Sequence, residues 1–356
     1  MTNEHKRRPH YSGKYPKHFN EKYKELNPEK YMSQQEHVIN KGITPAGTHI
    51  PIMVDEILRF LQIKEGEKGI DCTLGYGGHT TKMLEKLDHT GHLVSLDIDP
   101  IEIKKTTERI RQKGFNEKEF TPVHINFRDI DKVAKEYGPF DFLLADLGVS
   151  SMQIDDPSRG FTWKEDGPLD LRFNPNKGKS AADLLKDIDP EVFINILYEN
   201  SDEKYATDIA KELDKAQHLN RVPKTTKELC SLIGNALDKN KEIKSLTKDE
   251  KAELYRKTYA RVFQALRIEV NQEFEVLYEF LNKLPLVMAP GGRIAILTFH
   301  SGEDRMVKKI FKEGKISHIY EDIEDIVIRP SKEECYRNPR AHSTKLRTAI
   351  LVSNRE

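Results

Sequence analysis

The residues with most chemical potential form one run, Ile70-Asp71-Cys72-Thr73-Leu74-Gly75-Tyr76-Gly77-Gly78-His79, an apolar strand that breaks into a glycine turn and then a helix. Glycines after a strand let backbone approach a ligand, and a helix start presents unpaired N–H groups. Asp97 ends the next apolar segment, 22 residues after Gly75, where a carboxylate can accept hydrogen bonds from ribose hydroxyls. Together they point to a nucleoside-containing cofactor. The run departs from the dinucleotide fingerprint, because position 80 is Thr where G-x-G-x-x-G/A requires Gly or Ala, so S-adenosylmethionine is favoured over NAD. Gly178-Lys179-Ser180 lacks the leading Gly of a phosphate loop, Phe173 standing in its place, which removes an NTPase reading.

Two further groups lie at segment ends. Asp146, in Asp146-Leu147-Gly148-Val149-Ser150-Ser151, falls at the carboxyl edge of a strand, where open α/β sheets bind ligands; it reads equally well as a cap on the following turn. His300 ends another strand in Thr298-Phe299-His300-Ser301. Ser301 and Glu303 read as caps of the next helix, and His300 as a cap or a substrate contact.

The elements that would position these groups alternate. Short apolar strands are expected near 68–72, 92–98, 121–125, 141–147, 292–299, 325–329 and 346–352, and helices over 53–61, 79–88, 100–113, 129–137 and 303–312. This is the signature of a parallel sheet wrapped by helices, seven strands in one α/β layer. The alternation stops after 150 and resumes near 285. Between lie a Gly/Pro/Asp-rich loop (155–180) and helical stretches around 190–216, 225–238 and 249–282, which suit a helical subdomain inserted at 155–282 into a sheet domain of 49–154 and 283–356; long helical crossovers would also account for them.

Charge and composition exclude other classes. The 356 residues are 33% charged, against ~25% on average, and 37% hydrophobic. No run approaches the ~18 apolar residues of a spanning helix, and the first residues lack a signal peptide's apolar centre, so the expected location is the cytoplasm. Cys72, Cys230 and Cys335 are too dispersed for a disulfide framework or a zinc site, and no metal is expected. Net charge is +0, yet residues 1–48 hold nine Lys/Arg against five Asp/Glu, and 329–355 hold seven against two. The first of these segments also carries Tyr11, Tyr15, Phe19, Tyr23 and Tyr31, so it reads either as a solvated tail or as an arm whose cations meet phosphates and whose rings stack on bases.

In order along the chain, these motifs resemble the MraW (RsmH) family, which methylates N4 of a cytidine in the decoding centre of bacterial 16S rRNA. The resemblance rests on His49-Ile50-Pro51-Ile52-Met53, the Gly75–His79 turn, Asp97-Ile98-Asp99-Pro100, DLGVSSMQID from Asp146 to Asp155, RGFTW (159–163), DGPLDLR (166–172), FQALRIEVNQE (263–273), APGGR (289–293), FHSGEDRMVK (299–308) and NPRAHSTKLR (338–347). It implies a class I methyltransferase fold with a Rossmann-like sheet. It also implies that Gly77, Gly78 and His79 hold the methionine part of S-adenosylmethionine, Asp97 the ribose and Phe127 the adenine, with Asp146 and Gln153 completing the pocket. The inserted region corresponds to the family's substrate-recognition part. The implied partner is 16S rRNA or the small ribosomal subunit, with no membrane; whether the chain pairs as a homodimer is left open.

A cytosine N4 amine is a poor nucleophile, its lone pair being delocalised into the ring, so the reaction needs alignment, an acceptor for the amino hydrogens and a base. Asp146 is the candidate acceptor, and no N/D-P-P-Y/F motif stands at its position. His300, Arg172 and Arg267 are candidates for the substrate side, with internal ion pairs as the other explanation for the two arginines. Tyr76, Ile98 and Gly302 replace the family's usual Arg, Arg and Leu, which, with the basic extension, places the chain on a divergent paralogue branch. The competing readings are another RNA or a protein as acceptor, an assembly factor that binds the cofactor without turnover, and last an NAD oxidoreductase. If the basic arm meets phosphate, deleting residues 1–45 will flatten the slope of log affinity for small-subunit RNA against log salt; an unchanged slope makes the arm a tail.

Overall fold

A computed structural model of the chain describes residues 51–323 and 326–353; the basic segment 1–48 lies outside the described residues. In chain order the first half runs α1 (Val54–Leu61), β1 (Lys68–Asp71), α2 (Gly78–Leu87), β2 (His92–Asp97), α3 (Pro100–Gln112), β3 (Phe120–His124), α4 (Ile130–Tyr137), β4 (Phe140–Asp146) and α5 (Ser151–Asp155). A helical series follows: α6 (Ala181–Asp187), α7 (Pro190–Ser201), α8 (Ala206–His218), α9 (Thr226–Lys239), α10 (Lys241–Lys244), α11 (Lys248–Asn271) and α12 (Glu273–Val287). The chain closes with β5 (Met288–Thr298), α13 (Ser301–Ile316), β6 (Tyr320–Ile323), α14 (Lys332–Arg337) and β7 (Lys345–Leu351).

The seven strands form one sheet in the order β3-β2-β1-β4-β5-β7-β6. Strands β3, β2, β1, β4 and β5 are mutually parallel, with Ile70 opposite both Val94 and Leu143. Because successive side chains alternate between faces, each central strand feeds two cores. Val94, Leu143, Ala145, Ile294 and Ile296 pack with α4, α12 and α13 through Val133, Phe280, Leu284 and Phe311. Leu93, Phe142, Leu144, Ala295 and Leu297 pack with α1, α2 and α3 through Ile57, Leu61, Leu84 and Ile110. This is the seven-stranded α/β sheet expected of a class I methyltransferase.

Three expectations are corrected. The sheet is mixed: β7 is antiparallel to both β5 and β6, because the connection from β6 returns at the edge where β6 ends, with no crossover to carry it back. The sixth strand lies at Tyr320–Ile323, not 325–329. Tyr320 is buried edge-to-face on Phe311 at 5.3 Å, whereas Ile326 is exposed and Ile328 makes only an isolated bridge to Leu346. The helical stretch 249–282 is two helices, broken at Gln272 in the left-handed conformation (φ 52°).

The helices from α6 to α11 share a third core with the preceding loop, built on Phe161, Leu171, Phe193, Leu197, Ile233, Phe263 and Leu266. Helix α12 instead buries Leu277, Phe280 and Leu281 in the sheet's core, although residues 273–282 fall within the stretch read as inserted. All three cysteines are free. Among the described residues no helix is long and apolar enough to cross a membrane.

Candidate active site

The strand order reverses between β1 and β4, and the carboxyl ends of β1, β2, β4 and β5 carry the residues singled out above. At the end of β1, buried Asp71 braces the turn: Oδ1 accepts from the Thr73 amide (3.0 Å) and Oδ2 from the Thr80 hydroxyl (2.6 Å). Gly75 (φ 46°) and Gly77 (φ 80°) occupy left-handed backbone, and a Cβ on Gly77 would sit 2.6 Å from the Thr106 methyl, so both conformation and space demand glycine there. The turn is tied to β2 through Asp97, whose two carboxylate oxygens accept from the amides of Gly75 (2.7 Å) and Asp99 (2.8 Å). Burial pushes the Asp97 carboxyl up to about 7, against the pull of those two amides.

Asp146 ends β4 within reach of the glycine turn. Its amide donates to Thr73 Oγ1 (2.7 Å), its Oδ2 lies 3.5 Å from His79 Nδ1, and its Oδ1 is buried with no hydrogen-bond partner among the described residues. Burial pushes this carboxyl up to about 6, with His79 opposing and the charges of Asp71 and Glu303 reinforcing. His79 is buried, and its Nε2 donates to the Ile52 carbonyl (2.9 Å). Its ring is thus occupied inside the fold, at one end by backbone and at the other by Asp146.

Asp99 and Arg159 are the pair that motif reading missed. Asp99 caps α3, its Oδ1 accepting from the amides of Ile101 (3.0 Å) and Glu102 (3.4 Å), with Pro100 as first helical residue. Its Oδ2 takes the Arg159 guanidinium at 2.7 Å and the Gln153 side-chain amide at 2.9 Å. The second Arg159 amino group donates to the carbonyls of Arg172 (3.2 Å) and Phe173 (2.8 Å), anchoring the loop after α5. The pair is 0% and 8% exposed at Asp99 and Arg159 respectively, so its charges are compensated by each other rather than by water. Asp-Pro signalled the helix start; nothing in a linear reading joined Asp99 to an arginine 60 residues away.

The remaining candidates divide. Gln153 donates its side-chain amide to Asp99 and accepts the Ser150 amide (3.0 Å) through Oε1, completing a capping box. Phe127 follows β3 at the same edge, its ring edge-on to Phe280 at 4.9 Å. His300, rather than Ser301, caps α13 reciprocally with Glu303 and meets that carboxylate at 3.2 Å. Burial raises the Glu303 carboxyl, but His300 and the Phe299 amide outweigh it and hold it below the usual carboxylate range. Arg267 grips Glu273 through two bonds of 2.8 and 2.9 Å, and Arg172 grips Asp170 through bonds of 2.8 and 2.6 Å. Glu273, His300 and Glu303 cluster with ligand atoms within 4.8 Å of one another, but Arg267 already occupies both oxygens of Glu273. Ser180 caps α6 instead of facing a phosphate.

Two family departures have local accounts. Tyr76 lies under the Arg109 guanidinium, 3.7 Å from ring centroid to Cζ. Gly302 leaves room for Phe274, whose Cζ would lie 2.5 Å from a Cβ at 302. Nothing in the structure explains Ile98 in place of arginine.

Residues 46–351 match the family model described as the MraW methylase family. The chain belongs to the MraW methylase family. It is 58% identical to "Ribosomal RNA small subunit methyltransferase H 1" of Agathobacter rectalis over 98% of this chain and 98% of that one. It is 52% identical to "Ribosomal RNA small subunit methyltransferase H 2" of Acholeplasma laidlawii over 97% of each. Against "Ribosomal RNA small subunit methyltransferase H" of Carboxydothermus hydrogenoformans, identity falls to 37% over 86% of this chain and 98% of that one. The family match starts at residue 46, while the numbered relatives match this MraW chain almost end to end.

Two outcomes follow from the site's electrostatics. Arg159→Ala strands the Asp99 carboxylate in the interior and should lower the unfolding free energy by about 3–5 kcal/mol, measured by urea titration. Asp97 binds its proton more tightly in the fold, with a pKa of about 7, than in the unfolded chain, where aspartate titrates near ~4. The folded state therefore holds more protons between those values, and stability falls as pH rises through this window. In Asp97→Asn that fall should flatten, as followed by the melting temperature at pH values from about 4 to about 8.

Proposed function

We propose that the chain is an S-adenosylmethionine-dependent methyltransferase that modifies N4 of a cytidine in the decoding centre of 16S rRNA. The observation that carries the reading is the coincidence of family and geometry: an MraW chain whose acidic residue at the end of β2, Asp97, is braced by the Gly75 amide at the sheet's switch point. The numbered relatives' names, which specify ribosomal RNA of the small subunit, support the acceptor class.

The residues present suit this cofactor. Each Asp97 oxygen accepts one backbone amide and keeps a lone pair for a ribose hydroxyl. Gly77 and Gly78 open the turn for the methionine part, and Phe127 offers an apolar face for the adenine. A sulfonium is cationic, and the carboxyl groups of Asp71, Asp97 and Asp146 line the edge where it would lie. S-adenosylmethionine supplies an electrophilic methyl group; the chain's task is to aim the amine at it and manage the proton. Asp146, whose side chain is partly exposed at the end of β4, is the acceptor for the amino hydrogens, drawing the N4 lone pair out of ring conjugation. Alignment can contribute on the order of 7–11 kcal/mol at best. His79 and Gln153 act through Asp146 and Asp99, the groups they touch. The helical stretch 155–282 forms the rRNA-facing side, its loop held to the cofactor edge by Arg159, while Arg172, Arg267 and His300 support that side through Asp170, Glu273 and Glu303.

Nucleoside mass spectrometry of rRNA from a deletion strain tests this reading. Loss of N4-methylation at one decoding-centre cytidine, restored by the wild-type chain and not by Asp97→Ala, is expected. Unchanged N4-methylation, or labelled methyl entering only protein or other RNA, would redirect the assignment.

A further inference from the structure

The His79–Asp146 pair has a geometry that a cofactor contact does not require. A carbonyl has no proton to give, so the 2.9 Å bond between His79 Nε2 and the Ile52 carbonyl fixes the ring's proton on Nε2. In the neutral ring Nδ1 is then a bare lone pair, and it faces Asp146 Oδ2 at 3.5 Å. Two unprotonated acceptors face each other, and a proton between them would draw the 3.5 Å separation in toward hydrogen-bond length. The histidine end is buried and the aspartate end is partly exposed. The other charged groups acting on Asp146 are Asp71 at the end of β1 and Glu303 on α13; both are acids and both favour uptake of a proton, while His79 opposes it. Asp71 also interacts with His79. No donor among the described residues stabilises Asp146 Oδ1 as a bare carboxylate.

We propose that His79 is the second proton acceptor of the reaction: Asp146 takes the proton from the methylated nitrogen at the open end of the pair and passes it to His79 Nδ1 at the buried end. The proposal rests on the reading that Asp146 meets the substrate amine. In balance, the N–C bond forms as the methyl leaves sulfur, whose positive charge is thereby lost. The N–H bond then breaks with its electron pair staying on nitrogen, an O–H bond forms on Asp146 and breaks in turn, and an N–H bond forms at Nδ1. The positive charge ends on the imidazolium, held by the Ile52 carbonyl on one side and the Asp146 carboxylate on the other. His79 is a positioning residue in this scheme, acting through Asp146 and touching neither reactant.

The first test needs neither cofactor nor RNA. Nitrogen-15 NMR of the full chain should find the neutral His79 ring as the Nε2–H tautomer, with Nδ1 unprotonated. A resting Nδ1–H tautomer overturns the proposal even if His79 variants fail to fold. The second test is single turnover on undermethylated small ribosomal subunits with saturating S-adenosylmethionine. His79→Gln, whose amide can still donate to the Ile52 carbonyl, should slow the step by about 10²-fold when S-adenosylmethionine is saturating. It should also move the acidic limb of the pH–rate profile to lower pH, because protonation of the ring no longer removes the acceptor. A slowed His79→Gln with an unmoved limb means a merely structural histidine and refutes the proposal. Asp146→Asn at wild-type rate would instead refute the reading on which it rests.

Discussion

The buried carboxylate of Asp99 is the point on which the rest of the site depends. Removing a charge from water costs several kcal/mol unless partners replace the solvent, and here every partner comes from a different part of the chain. The α3 amides take one oxygen, Arg159 and Gln153 take the other, and the Asp99 amide holds Asp97. One residue, through its backbone amide and its carboxylate, thereby sets the end of β2, the start of a helix, the short helix after β4 and the loop that leads into the helical series. Loosening any of these would leave the charge partly uncompensated.

Around this node the edge of the sheet is acidic. Asp71, Asp97 and Asp146 all have carboxyl groups raised by burial, which a cationic ligand or hydroxyl donors at this edge would offset. The glycine turn serves the same end from the backbone side, since residues with a side chain at 75 or 77 would need left-handed backbone, and at 77 would strike Thr106. The basic partners in this region are committed: Arg159 to Asp99, Arg267 to Glu273, Arg172 to Asp170. They hold the scaffold in register and leave the edge itself acidic.

Much of this was legible in the linear chain. Strand periodicity located six of the seven strands to within a few residues, because fully buried parallel strands are short apolar runs bounded by turns. The sixth failed because Asp-Ile-Val-Ile has the right alternation, whereas Tyr320 and Ile323 are the residues α13 can cover. The break at Gln272 was invisible for a related reason: residues on both sides favour helix, and only the need of α12 to reach the sheet's core turns the chain there.

By itself the sequence determined the family, the alternating α/β plan, the glycine turn and the acid that follows it, since these depend on residue type and short spacing, which a linear reading measures. Tertiary structure alone decided what those residues touch. It set His79 between a carbonyl and Asp146, turned Gln153 toward Asp99, and matched Asp99 with Arg159 across 60 positions. It also reversed β7 within the sheet. The physical reason is that the cost of burying a charge is settled by whichever partner the fold brings within hydrogen-bond reach, and that choice has no fixed spacing along the chain.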